Sequence, residues 1–171
     1  MDDLSKELMA QRTLTIGEVT DESTNEFIRI FWLLAKKKNK DKITVIINSP
    51  GGDIDHGRAM YDIIHKYTGE TSALIYGNCS SISAIILQAF KDRAMSQSAV
   101  MLLHDGTQSQ DLNARDFEQA GKQSAKDRQW IYNVLAARCG RTAQFWGKRC
   151  SRDTYYTAKE ALRFGLIDRI I

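Results

Sequence analysis

Apolar positions along the chain switch repeatedly between two periods, and the switching predicts a mixed fold. Thr13 to Ile16 reads as a strand, after which Phe27, Ile30, Phe31, Leu33 and Leu34 recur at helical spacing, with Asp21 or Ser23 as the cap. Lys42 to Ile47 (KITVII) is short and rich in β-branched residues, the pattern of a strand buried on both faces. A helix is expected from about Asp55 to Tyr67 with Ala59, Met60, Ile63 and Ile64 inward. Then come a strand over Thr71 to Tyr76, an apolar helix over Ser81 to Phe90 and a buried strand over Val100 to Leu103. A long helix from about Asn113 to Arg138 follows. Its middle, KQSAKDRQ (Lys122 to Gln129), offers almost nothing apolar to bury, so it must protrude or meet a partner. A helix around Ala158 to Phe164, Gly165 as its C-cap and a strand over Leu166 to Ile171 close the chain. Strand and helix alternating in this way predict an α/β domain built from βα or ββα units.

Composition narrows the class. A chain of 171 residues, 43% of them hydrophobic, suits one compact domain with a sizeable core. With 24 basic against 21 acidic residues, it lacks the clustered positive surface of a nucleic-acid binder. The one strongly basic block, KKKNKDK (Lys36 to Lys42), falls between a helical and a strand pattern and reads as a solvated loop. Cys79, Cys139 and Cys150 are odd in number and have no CxxC spacing, so neither a disulfide framework nor a zinc site is indicated; no metal or other cofactor is expected. The N-terminal MDDLSKELMAQR lacks the apolar core of a signal peptide, and no stretch approaches the roughly 20 apolar residues of a membrane span. A soluble, cytoplasmic protein with reduced thiols is the expectation.

Two corners carry chemistry. INSPGGD (Ile47 to Asp53) contains the only proline of the chain and two consecutive glycines at the end of a strand. Proline fixes the direction of the turn and glycine admits close approach, so such a corner can aim backbone N–H groups at a developing oxyanion. YGNCSSISAIIL (Tyr76 to Leu87) again runs from strand through glycine into helix. A serine in the first helical turn would sit beside backbone donors; Ser80, Ser81 and Ser83 compete, and an N-cap is the plainer explanation of any one of them. A nucleophilic serine needs a base, and the base an orienting group. Of three histidines, His56 and His65 fall on the helix after the PGG corner, whereas His104 ends a buried strand where it could meet a serine. Asp105, Asp116, Asp153 and Asp168 all remain open as the acid. These residues describe a serine hydrolase with an unassigned acid.

Taken together, the pieces resemble the proteolytic-subunit family of the Clp protease, ClpP, within the ClpP/crotonase superfamily. INSPGG (Ile47 to Gly52) matches a family hallmark; GNCSSI (Gly77 to Ile82) is similar to the family's GxAASM; MLLHD (Met101 to Asp105) corresponds to its MIHQ. RDTYYTAKEALRFGLID (Arg152 to Asp168) resembles RDxFxSAxEAxEYGLID, and QRTLTIGEVTDESTNEFI (Gln11 to Ile28) resembles the family's first strand and helix. The resemblance implies a single domain over residues 1–171, a spiral of ββα units, and a protruding handle helix in a region of about 104–138. It implies Ser81 as nucleophile, His104 as base and Asp153 as acid, with the amides of Gly52 and Ile82 as the oxyanion hole. The implied reaction is hydrolysis of peptide bonds in peptides or unfolded proteins. The implied assembly is self-association into heptameric rings stacked as a tetradecamer, with a Clp AAA+ unfoldase as a further partner.

The chain also departs from the family. HDGTQSQ (His104 to Gln110) stands where the family has HQPLGG, and Ile46 stands where many members place an aromatic residue in the unfoldase-docking pocket. Two other functions compete with the peptidase: a catalytically idle ring component, and a crotonase-type acyl-CoA enzyme. An intact serine, histidine and aspartate argue against the first, and a crotonase has no need of a serine paired with histidine.

Overall fold

The computed structural model describes residues 3–36, 41–106 and 114–171. In chain order the first half comprises α1 (Asp3–Ala10), β1 (Thr13–Ile16), α2 (Asp21–Ala35), β2 (Ile43–Ser49), α3 (Ile54–His65) and β3 (Thr71–Ser80). The second half comprises α4 (Ile82–Ile86) with a following 3-10 turn, β4 (Asp92–Met95), β5 (Val100–Leu103), α5 (Ala114–Cys139), α6 (Ala143–Cys150), β6 (Thr154–Thr157), α7 (Ala158–Arg163) and β7 (Arg169–Ile170). Residues 37–40 of the basic run, and residues 107–113, which include the last four residues of HDGTQSQ, lie outside the described residues.

Five strands run parallel in the order β1-β2-β3-β4-β7, as the sequence pattern requires of an α/β domain. β3 is the branch point. Its first half, Ser72 to Ile75, pairs with β4, and its second half, Asn78 to Ser80, pairs with β5. The register of β2 on β3 shifts between Ile47 and Ser49, where the Asn48 side-chain oxygen accepts the Asn78 amide at 3.1 Å. That irregularity bends β3 away from β4, so its end delivers Ser81 to the edge where β5 stops. Extension of β3 four residues past the expected Tyr76 is therefore what joins the serine corner to the histidine strand.

Between the strands, side chains at helical spacing form the core. Phe27, Phe31 and Leu34 of α2, Met60 and Ile64 of α3 and all five residues of α4 are buried, each large apolar side chain worth roughly 1.5–3 kcal/mol of transfer free energy. Ala59 and Ile63 of α3 are only half-buried. The cap of α2 is Thr20 rather than Asp21 or Ser23; Ser23 instead closes a capping box, its hydroxyl accepting the Thr20 amide at 3.0 Å.

Several elements depart from the sequence expectation. The helix at the serine corner is five residues long and tightens into the 3-10 turn, because the chain must reverse at once to enter β4. β4 reads DRAM and was not among the expected strands; Arg93 is buried on it because its guanidinium donates to Asp168 at 2.6 Å. α1, α6 and β6 were not expected either. On β6, which runs antiparallel to β5, Tyr156 faces the core while Tyr155 faces solvent, too short an alternation to stand out. The final strand is confined to two residues.

α5 projects from the domain at its N-terminal half, where residues 115–119 are exposed and Phe117 is 71% exposed. Its polar middle does find partners in the same chain: buried Asp127 accepts from Arg58 Nη2 at 2.8 Å and from Gln123 at 2.9 Å. The Arg58 guanidinium in turn lies 4.7 Å from the centre of the Trp130 ring. No helix among the described residues is long and apolar enough to cross a membrane.

Candidate active site

Ser81 is the hinge between β3 and α4 and one of two non-glycine residues with positive φ among the described residues, at φ 57° and ψ −129°. Such a conformation costs of order 1–3 kcal/mol and persists only where surroundings hold it. Here the Ser81 amide donates to the Leu102 carbonyl of β5 at 2.8 Å, and the Ser81 carbonyl accepts from Ala84 at 3.1 Å. The elbow thereby turns its hydroxyl toward the end of β5.

His104 follows β5 directly. Its Nε2 lies 2.9 Å from Ser81 Oγ and its Nδ1 lies 3.1 Å from Asp153 Oδ1. A carboxylate can only accept, so Nδ1 carries the proton of the neutral ring and Nε2 accepts the serine O–H. The imidazole is 24% exposed, whereas the Asp153 side chain, just before β6, is 60% exposed. Asp153 borders a groove of about 580 Å³ whose walls include Lys148, Arg149, Arg152 and Tyr155.

Competing candidates are engaged elsewhere. Ser83 is fully buried and its hydroxyl donates to the Ser80 carbonyl at 2.7 Å, while Ser80 Oγ bonds Asn78 Oδ1 at 2.5 Å. His65 stacks on Tyr61 at 5.3 Å between ring centres, and His56 sits in the first turn of α3, its ring no part of the row that His104 makes. Asp168 holds Arg93, Asp105 accepts from Tyr132, and Asp116 lies on the exposed part of α5. Among the residues proposed from sequence, only Ser81, His104 and Asp153 form a continuous hydrogen-bonded row.

The PGG corner packs directly on this elbow. Gly51, at φ 98°, has Ser81 against it, and a Cβ there would stand 2.7 Å from both the Ser80 oxygen and the Ser81 Cβ. Gly52 is locked from the opposite side: the Val19 amide donates to the Gly51 carbonyl at 2.8 Å and the Asp53 amide donates to the Val19 carbonyl at 2.9 Å. Val19, an isolated bridge residue just after β1, was not legible as part of the site. An apolar residue in a polar turn, Gly17 to Thr20, was its one signal.

Burial pushes the Cys79 thiol, two residues before Ser81, up to about 12, so it is a packing group in this environment. Among the described residues no group of three His, Cys, Asp or Glu could hold a metal ion.

Against this geometry, the family model for Clp protease matches residues 1–171, the entire sequence. The chain belongs to the Clp protease family. Membership of that family supports a peptidase of the ClpP type, since it is a serine peptidase family whose members generally form rings and degrade peptides. The mixed α/β architecture with its parallel sheet, and α5 standing away from it, agree with the ClpP-like fold.

Proposed function

We propose that residues 1–171 act as one domain, a serine endopeptidase in which Ser81 is the nucleophile, His104 the general base and Asp153 its orienting acid. The observation that carries this reading is the row Ser81 Oγ to His104 Nε2 at 2.9 Å and His104 Nδ1 to Asp153 at 3.1 Å. Ser81 Oγ attacks the scissile carbonyl carbon while His104 Nε2 takes the hydroxyl proton; Asp153 stabilises the imidazolium that results. The tetrahedral intermediate collapses, breaking the C–N bond, and the leaving amine takes the proton from Nε2. Water then attacks the acyl ester with His104 again as base, releasing the carboxylic acid and restoring Ser81.

The oxyanion donors in this reading are the amides of Gly52 and Ile82. In a parallel bridge the central residue turns its own N–H away from its partner, so the Val19 pairing leaves the Gly52 amide facing the other side. Gly51 packs against Ser81, and a Cβ there would stand 3.3 Å from the Ile82 nitrogen, so both amides belong to the corner that holds the nucleophile. Loss of one such donor costs about 10²–10³ in kcat.

The same reading includes assembly: heptameric rings stacked as a tetradecamer through α5, enclosing the sites and admitting peptides or unfolded chains. The exposed N-terminal half of α5, with Phe117 at 71% exposure, supports it, since a helix with so little of its own to bury needs a second surface. Delivery by a Clp AAA+ unfoldase belongs to this reading as well. Sedimentation of the full chain alongside hydrolysis of a short fluorogenic peptide tests it. A ring-sized particle that cleaves the peptide, with Ser81→Ala inert, is expected; an inert particle of any size overturns the peptidase reading.

A further inference from the structure

His104 leaves a strand that ends one residue earlier, so something outside the strand must fix the direction in which the imidazole projects. The next residue, Asp105, is held at both ends. Its amide donates to the carbonyl of Cys150, the last residue of α6, at 2.7 Å. Its carboxylate accepts from the Tyr132 hydroxyl, on α5, at 2.5 Å. Cys150 lies three residues before Asp153, so the same bond fixes the spacing between the segments that carry base and acid.

Tyr132 is itself wedged in place. Its ring lies against Gly147 of α6, so closely that a Cβ there would meet Cε2 at 3.1 Å. A cavity of about 700 Å³ opens beside the pair, lined by Asp105, Gln129, Tyr132, Gln144, Gly147 and Ser151, so the contact sits at an accessible joint rather than in the solid core. Burial first, and then the Asp105 carboxylate, push the Tyr132 hydroxyl above its usual range, so the phenol favours the protonated, donating form even more than an exposed one does. A hydrogen bond to a charged acceptor is about twice as strong as a neutral one, and the short distance here agrees with that class.

We propose that Asp105 and Tyr132 are positioning residues for His104: the tyrosine hydroxyl, bonded to the aspartate, holds the strand end from which the imidazole projects and ties the alignment of the row to the seating of α5. This rests on the peptidase reading above. Neither side chain touches the reacting atoms; both act through His104, where misplacement of about 1 Å costs on the order of 10²-fold in rate.

The test uses the full chain and a short fluorogenic peptide. Tyr132→Phe removes only the hydroxyl and Asp105→Ala only the acceptor; each should lower kcat by about 10- to 100-fold while KM stays within about twofold. Asp105→Asn keeps an acceptor oxygen and should restore most of the rate. The double variant Tyr132→Phe with Asp105→Ala should lose no more than either single one, because one contact is removed twice. Circular dichroism checks folding, and if Tyr132→Phe fails to fold, the comparison of Asp105→Ala with Asp105→Asn decides alone. Activity within twofold of the original in folded Tyr132→Phe and Asp105→Ala, additive losses in the double variant, or no rescue by asparagine would each overturn the proposal. None of these would touch the peptidase reading, which falls instead if Ser81→Ala retains activity.

Discussion

Gly51 lies so close to Ser81 that a side-chain carbon on the glycine would stand 2.7 Å from the Cβ of the serine. The corner that contains the only proline of the chain is therefore a spacer for the serine elbow. On its far side, Val19 pins the next residue through two backbone hydrogen bonds of 2.8 and 2.9 Å.

Gly51→Ala is accordingly expected to damage the site more than the fold. Positive φ costs an alanine roughly 1–3 kcal/mol, which for a chain of this size lowers the melting temperature by about 2–12 °C. The displaced elbow should lower kcat by about 10². Gly17→Ala, where nothing lies within 4 Å of the new carbon, serves as the control. A folded Gly51→Ala protein with unchanged kcat would show that the two corners do not depend on each other.

Legibility in the sequence followed burial and charge. KITVII and VMLL stand out because β-branched and aliphatic runs have few explanations other than buried strands. DRAM did not stand out, since the partner that allows Arg93 to be buried, Asp168, is 75 residues away along the chain. Ser80, Ser81 and Ser83 could not be separated by composition; the resemblance pointed to Ser81. What distinguishes them physically is the elbow, and that depends on Gly51 and on the Leu102 carbonyl, both distant in sequence. Asp127 illustrates the same limit: a polar position mid-helix gives no sign of the arginine on α3 that buries it.

Thiol chemistry should be slow in the folded protein. Burial pushes Cys79 and Cys150 up to about 12 and Cys139 up to about 11, leaving little reactive thiolate at neutral pH. Iodoacetamide is expected to leave Cys79 unmodified in the native state and to label all three cysteines after unfolding, as read by mass spectrometry. Rapid native labelling of Cys79 would contradict the packing described.

Stability should fall in acid through a defined pair of strands. Hydrogen bonds from Arg169, then from Ser72, hold the Asp92 carboxyl down at about 2, below its ordinary value near 4. Because the folded state depresses this pKa, the stabilisation is complete above about pH 4 and is lost as pH falls through about 2. Melting temperatures from pH 5 down to pH 2 should decline in the original chain and decline less steeply in Asp92→Asn. The slope that remains belongs in part to Asp168, whose burial favours the neutral acid but is outweighed by Arg93. Identical slopes in the two proteins would remove Asp92 from the account.

The most direct measurement is the rate and position of labelling by a fluorophosphonate, followed by mass spectrometry of the peptide containing residue 81. A single adduct on Ser81 is expected, slowed by about 10⁴-fold or more in His104→Ala and about as severely in Asp153→Asn, and absent in Ser81→Ala. An adduct that persists in Ser81→Ala, or a labelling rate indifferent to His104→Ala, would contradict the claim that the row from Ser81 through His104 to Asp153 activates the serine.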